Sequence, residues 1–363
     1  FYVPIYSSVS GTYKGIVKRM HNSLRPQNHM VIECDFKQTK VQSFAPLDWQ
    51  SATREECVDF VKNAGIVGLG GAGFPTYVKY MKPDGVDYVL INAVECEPYI
   101  TADYRSVMDD AQDLVTGAKI MKKMAEAKTV YICIKESHPD LIEKVKSALT
   151  DAAGVEVYPV PDVYPMGWER VLVREVLHKE YGGLPAEAGA IIGNASSAIA
   201  IAKAFEKGEA ITQKNLTVSG ECVKDPHNVC VPVGMPVSEI IQACGGYTQD
   251  TVRLISGGPM MGKTIVNDMF VVDRAMNALT VLPAANDDAI ACLRCGKCSD
   301  HCPSGLQPVR ITAALKANDV DEMSKRGVMS CIECGMCTYI CPSHIDVTEN
   351  VRKAKRIVML KKK

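Results

Sequence analysis

The spacing C-x2-C-x2-C-x3-C-P opens at Cys292 and is written again from Cys331. Cys292, Cys295, Cys298 and Cys302 form the first run; Cys331, Cys334, Cys337 and Cys341 form the second. No other feature limits so narrowly what this part of the chain can become, because four thiols in so short a run need something to bind. Three thiolates on a tight loop can cap one face of an iron–sulfur cube, and in paired runs of this kind the fourth cysteine ligates the other cluster. The expected sets are therefore Cys292, Cys295 and Cys298 with Cys341, and Cys331, Cys334 and Cys337 with Cys302. Gly296 and Gly335 let the backbone curl around a cube, and Pro303 and Pro342 turn the chain away after the last ligand. Zinc is the rival, but structural zinc takes four ligands from paired knuckles, and a triple run suits one tetrahedral ion badly.

The remaining seven of the 15 cysteines, Cys34, Cys57, Cys96, Cys133, Cys222, Cys230 and Cys244, are scattered, mostly in apolar strand-like contexts. Clustered thiols in a large chain without a signal-like segment indicate metal binding in a reducing compartment, here the cytoplasm. At 363 residues there is room for two or three domains. A net charge of -1 gives no reason to expect nucleic acid as a partner. No run approaches the roughly 18 apolar residues of a membrane span.

Residues 1–45 read as a β-rich segment, with "GTYKGIV" and "MVIEC" as strands and the opening residues as a strand already under way. In 46–212, "VDYVLINAV", "KTVYICIK" and "VEVYPVP" read as strands. They alternate with helical patterns in "ATREECVDFVKNAGI", which stops at Gly65, in "SVMDDAQDLVTGAKIMKKMAEA", taken as one helix, and in "HPDLIEKVKSALTDA". That alternation implies βαβ units on a mostly parallel sheet. Residues 213–284 read as a small α+β unit, and 285–363 as helices punctuated by the cysteine runs. The basic tail "VRKAKRIVMLKKK" suits a solvated helix end, or a surface for an acidic partner.

"GIVGLGGAGFP" places Gly65, Gly68, Gly70, Gly71 and Gly73 before "TYVKY", read as a helix. A phosphate nest and a merely tight turn explain this loop equally well. Lys79 lies about one turn further on, within reach of the same phosphate. In "INAVECEPY", Glu95 and Glu97 stand at the carboxyl end of a strand, where α/β sheets bind ligands; an acidic helix start, with Asp103 and Arg105 following, is the plainer explanation. "YPMGWERV" offers Tyr164, Gly167, Trp168 and Glu169, and "GNASSAIAIA" offers Asn194 and Ser197. Each has a simple capping explanation, but all four loops belong to one α/β domain.

"GLGGAGFPT", "INAVECEPY", "TADYR" and "SGGPMMG", followed by the two cysteine runs, resemble the RnfC proteins of the Rnf electron-transport complex and their soluble relatives, over nearly the whole chain and in order. More distantly, the first half resembles the NADH- and FMN-binding subunit of respiratory complex I. The resemblance implies an α/β flavin domain, a β-grasp-like domain of the SLBB type, and a C-terminal helical domain holding two [4Fe–4S] clusters in a ferredoxin-like manner. It also implies a barrel-sandwich domain, of which 1–45 is expected to be a partial, β-rich segment, with FMN as cofactor and NADH as substrate. By resemblance, Gly68, Gly70, Gly71 and Gly73 line the flavin and its phosphate, with Lys79 and Asn92 nearby. Glu95 faces the flavin, Glu97 the nicotinamide, and Phe74 the nucleotide cleft. Tyr164, Gly167, Glu169, Asn194 and Ser197 complete the pocket.

Val94 departs from the complex I motif, as is usual in the Rnf branch. Trp168, Arg170 and the string "NASS" depart from the pattern of the membrane-bound RnfC proteins, and point to a soluble relative such as those serving proline reductase or corrinoid reduction. Two functions follow. In the first, NADH reduces FMN, and the clusters pass electrons to a protein partner, another Rnf-type subunit or a soluble reductase. In the alternative, with Trp168 narrowing the cleft, the chain relays electrons between proteins without oxidising NADH. The first places it in the cytoplasm or on the cytoplasmic face of a membrane.

Overall fold

The computed structural model describes residues 1–284 and 288–361. The chain forms two compact units: residues 1–258 with 263–283, and residues 259–262 with 284–363.

The first unit begins with a two-stranded antiparallel hairpin, β1 (Gly11–Met20) and β2 (Pro26–Cys34). Its turn is fastened by Asn22, whose Nδ2 donates to Asp273 Oδ2 at 2.7 Å. Helix α1 (Arg54–Asn63) starts on a reciprocal cap: Thr53 Oγ1 accepts from Glu56 N–H at 3.2 Å, and Glu56 Oε2 accepts from Thr53 N–H at 2.7 Å. Two backbone donors are satisfied at once, a device stabilising by about 1 kcal/mol. Its inward face of Cys57, Val58 and Val61 is buried. The expected helix at "TYVKY" is a short 3-10 helix of five residues, Thr76–Tyr80.

Four parallel strands follow: β3 (Tyr88–Asn92), β4 (Thr129–Lys135), β5 (Val155–Val160) and β6 (Ala190–Asn194), in the order β5-β4-β3-β6. Val89, Leu90 and Ile91 of β3 are wholly buried, as a strand covered on both faces requires. Pro159 sits in β5, at the sheet edge, where a missing N–H is tolerated. The helices are α2 (Ala102–Asp109), α3 (Ala111–Ala125), α4 (Pro139–Ala148), α5 (Glu169–Leu177) and α6 (Ala195–Lys207). The single helix expected from Ser106 onward is two helices broken at Asp110, which lies at φ -118, ψ 36. The Asp110 carboxylate takes Lys203 Nζ at 2.6 Å, so a tertiary ion pair and a residue with poor intrinsic helix preference coincide at the break.

A second sheet of β7 (Gln213–Ser219), β8 (His227–Pro232), β9 (Val252–Ser256), β10 (Lys263–Ile265) and β11 (Ala278–Pro283) runs in the order β10-β9-β11-β7-β8. Helix α7 (Val237–Ala243) packs Ile240 and Ile241 into its core beside Leu216, Leu254 and Val281.

The second unit contains α8 (Lys297–Asp300), α9 (Pro308–Lys316), α10 (Val320–Lys325), α11 (Met336–Tyr339) and α12 (Val347–Lys361). Ile311, Met323, Val328, Val351 and Val358 form its core. No described helix is long and apolar enough to cross a membrane.

Candidate cofactor sites

In the parallel sheet, β3 leads outward through β4 to β5 on one side, while β6 returns to its other side. The winding reverses between β3 and β6, and the crevice beyond their carboxyl ends is where such sheets take ligands. Both of these strands end on an asparagine. Asn92 Nδ2 donates to Gly167 O at 2.7 Å, drawing the 164–168 loop over the end of β3. Asn194 caps α6, its Oδ1 accepting from Ser196 N–H at 2.9 Å, while its Nδ2 donates to Asp103 Oδ2 at 2.6 Å.

The glycine loop lies against this pair of strand ends. A Cβ on Gly70 would stand 2.7 Å from Asn194 Nδ2, so that glycine is required by packing. Gly71 is different: at φ 107 it has no neighbouring atom within 4 Å of where a Cβ would sit, so its backbone faces open space. The loop closes on itself through Gly68 N–H to Phe74 O at 2.8 Å and Gly73 N–H to Gly68 O at 3.0 Å. Ser197 is 2% exposed and accepts from Leu69 N–H at 2.9 Å, so it braces the loop from within.

Lys79 Nζ donates to Ile192 O at 2.7 Å, and burial lowers its pKa against the opposing pull of Glu169. Glu169 in turn accepts from Tyr181 OH at 3.3 Å. Glu95 has a left-handed backbone, φ 42, and turns inward. Its carboxylate accepts from the N–H groups of Asp103 at 2.9 Å and Tyr104 at 3.1 Å, capping α2. Burial first, and then the Asp103 carboxylate, push its pKa up to about 7.

Glu97 and Phe74 reach towards other neighbours. Glu97 lies against Gly258, where a Cβ would collide with its side chain. Phe74 is 38% exposed, with its ring edge-on to Phe1 at 6.0 Å. Tyr164 precedes Pro165 across a cis bond, and Trp168 stands half-buried as the N-cap of α5. The Arg170 guanidinium is engaged elsewhere, donating to Gly182 O at 2.7 Å and lying over the Tyr181 ring.

The cluster at the strand ends thus gathers the glycine loop, Lys79, Asn92, Glu95, Gly167, Asn194 and Ser197. It also includes residues given no role from sequence. Asp103 is 8% exposed and also accepts from Ser196 Oγ at 2.6 Å. Lys214 of β7 is 4% exposed and donates to Leu69 O at 2.8 Å. Its signal was a charged residue on the inward, alternate positions of a strand, in step with Leu216 and Val218. Lys214 also lines a cavity of about 170 Å³ with Leu69, Ser106, Ser196 and Lys203, which none of the expected flavin residues borders.

The two cysteine runs adopt one conformation twice. Arg294 and Glu333 are left-handed at φ 55 and 57, Gly296 and Gly335 at φ 83 and 79, and each glycine starts a four-residue helix. Cys302 borders one cavity with Cys331, Cys334 and Cys337. The thiols of these three are raised by burial above all, with Cys302 adding to the effect. In the other run Cys292 raises Cys298 to a lesser degree than burial does. Ile290 N–H donates to Ser343 O at 3.1 Å, and Ser343 Oγ to Ala291 O at 3.1 Å, which ties the approach to Cys292 beside Cys341. Part of the basic tail braces the second run: Lys355 Nζ donates to Cys331 O at 2.8 Å and pairs with Glu333 at 3.0 Å.

Residues 61–203 match the Nuo51 FMN-binding domain, 215–264 the SLBB domain, and 284–342 the 4Fe-4S dicluster domain. The RnfC protein of the Na(+)-translocating ferredoxin:NAD(+) oxidoreductase complex of Acetobacterium woodii is 35% identical over 99% of this chain and 83% of its own length. Its counterpart in the proton-translocating ferredoxin:NAD(+) oxidoreductase complex of Clostridium ljungdahlii is 35% identical over 84% of this chain and 68% of its own. This chain belongs to the RnfC family. The RnfC protein of the Rhodobacter capsulatus ion-translocating oxidoreductase complex is a longer relative, 37% identical over 77% of this chain and 56% of its own length. Among solved structures, a chain of an NAD+-reducing [NiFe]-hydrogenase in its H2-reduced state shares the fold, with a TM-score of 0.58 and 15% identity over 88% of this chain and 64% of that one.

As an RnfC protein the chain is an electron-transfer flavo-iron–sulfur oxidoreductase, with FMN and two [4Fe–4S] clusters as cofactors. Its residues fit these groups. Gly71 leaves space for a ligand beside the loop. Lys79 supplies a largely buried ammonium near the same strand ends. Cys302, Cys331, Cys334 and Cys337 border one cavity, and thiolates are the ligands such clusters take.

Proposed function

We propose that this chain carries electrons from NADH, through FMN, to its two [4Fe–4S] clusters and on to a protein partner. The observation that carries this is the succession of an FMN-binding domain and a dicluster domain in one chain. FMN supplies the exchange between hydride and single electrons that one-electron centres require. The chain's part is to bind and orient. Gly71 and Gly73 offer backbone to the flavin and its phosphate, Lys79 answers the phosphate charge, and Asn92 fixes the 164–168 loop that closes the pocket. Glu97 and Phe74 serve the nicotinamide side. Cys292, Cys295, Cys298 and Cys341 hold one cluster; Cys331, Cys334, Cys337 and Cys302 hold the other.

The relatives named above belong to multi-subunit complexes, which favours other Rnf subunits as partners and a peripheral place on the cytoplasmic face of a membrane. Anaerobic addition of NADH to protein loaded with FMN and iron tests the function directly. Bleaching of the flavin band, followed by a reduced iron–sulfur signal in electron paramagnetic resonance, is the expected outcome. An unchanged flavin band that a protein donor nonetheless bleaches would make the chain a relay between proteins.

A further inference from the structure

Lys214 is an unusual residue to find in the core of this unit. It stands on the first strand of the second sheet, 145 positions from the residue it holds. A buried ammonium loses its hydration, and an apolar side chain of the same length would fill the space more cheaply. Burial lowers its pKa, while the carboxylates of Asp103, Asp273 and Glu95 favour the charged form. Its Nζ donates to the Leu69 carbonyl at 2.8 Å. The N–H of Leu69 itself is taken by Ser197 Oγ at 2.9 Å. Both polar groups of one loop residue are thus held, from β7 and from α6. The next residue, Gly70, is pressed against Asn194, and the one after, Gly71, faces open space.

We propose that Lys214 is a positioning residue for the flavin: by holding the Leu69 carbonyl it fixes the direction in which the Gly70–Gly71 backbone faces, and so couples flavin binding to the second sheet. Resting on the flavin lying beside Gly71, this assigns the SLBB-type domain a part in the cofactor site of its neighbour. Lys214 touches no reacting atom in this scheme. Its effect is on the preorganisation of backbone donors, which a longer guanidinium can reproduce and a side chain with no N–H of that reach cannot.

The experiment is titration of flavin-free protein with FMN, followed by quenching of flavin fluorescence, for the parent, Lys214→Met, Lys214→Gln and Lys214→Arg. Iron content and thermal midpoint are measured alongside. Lys214→Met and Lys214→Gln are expected to weaken FMN binding about tenfold or more, the scale of losing a hydrogen bond to a charged group. Lys214→Arg is expected to restore binding to within about threefold, a remnant smaller than one ordinary hydrogen bond. Neutral variants that keep the parent affinity would overturn the role of Lys214 alone. If Lys214→Met does not fold, Lys214→Gln against Lys214→Arg decides the same question. A parent protein that takes up no FMN overturns the flavin site and this role with it.

Discussion

Glu95 shows how one residue's surroundings can reverse its ordinary chemistry. A carboxylate at a helix start should be stabilised in its charged form by the N–H groups it accepts from. Here Glu95 accepts from two of them, yet burial, seconded by the Asp103 carboxylate, pushes its pKa from 4.5 to about 7. Between those values the folded chain holds a proton that the unfolded chain has released. The stability linked to Glu95 is therefore complete below pH 4.5 and is lost as pH rises through about 7. Glu95→Gln keeps an acceptor for the helix start and removes the titration. Thermal midpoints measured across this interval should fall with rising pH more steeply in the parent than in the variant. Superimposable pH profiles would mean that Glu95 ionises as it does in water.

At the scale of elements, the strand-end asparagines carry more than their local role. Asn194 joins three pieces: it caps α6, holds Asp103 of α2, and abuts Gly70 of the loop. Asn194→Ala removes the cap and one partner of a buried carboxylate. A loss of about 1–2 kcal/mol in urea unfolding is expected from the cap, accompanied by weaker FMN retention on gel filtration. A cap acting alone would lower stability and leave flavin retention unchanged. Strands β3, β4 and β5 and the end of α1 were legible in sequence, because they rest on near-neighbour spacing: the apolar run of β3, Gly65 after α1. The break at Asp110 was not legible, since the ion pair with Lys203 that accompanies it arrives from 93 positions away. Lys214 escaped for the same reason, and Asp103 was read only as part of an acidic helix start: what gives each its place in the site is a contact across the fold that no local pattern announces.

For the whole molecule, the duplicated cysteine run is the feature on which electron transfer to a partner depends, and its cross-ligation can be tested by counting iron. The cavity shared by Cys302, Cys331, Cys334 and Cys337 unites one residue of the first run with three of the second. If these four serve one cluster, Cys302→Ser and Cys331→Ser each remove that cluster, leaving about four of about eight irons per chain. The double variant then loses nothing more, because both substitutions strike the same site. If each run instead keeps its own four ligands, the two single variants damage different clusters and the double variant falls to almost no iron. The same logic applied to Cys302 and Cys298 inverts the expectation: cross-ligation places them in different clusters, so their double variant should be nearly empty. Iron assay of anaerobically reconstituted protein distinguishes these outcomes, and electron paramagnetic resonance of the reduced single variants should show one uncoupled cluster in place of two interacting ones. Non-additivity between Cys302 and Cys331, with additivity between Cys302 and Cys298, is the signature of two centres tied together by their own ligands, which is the arrangement that keeps them close enough for electrons to pass.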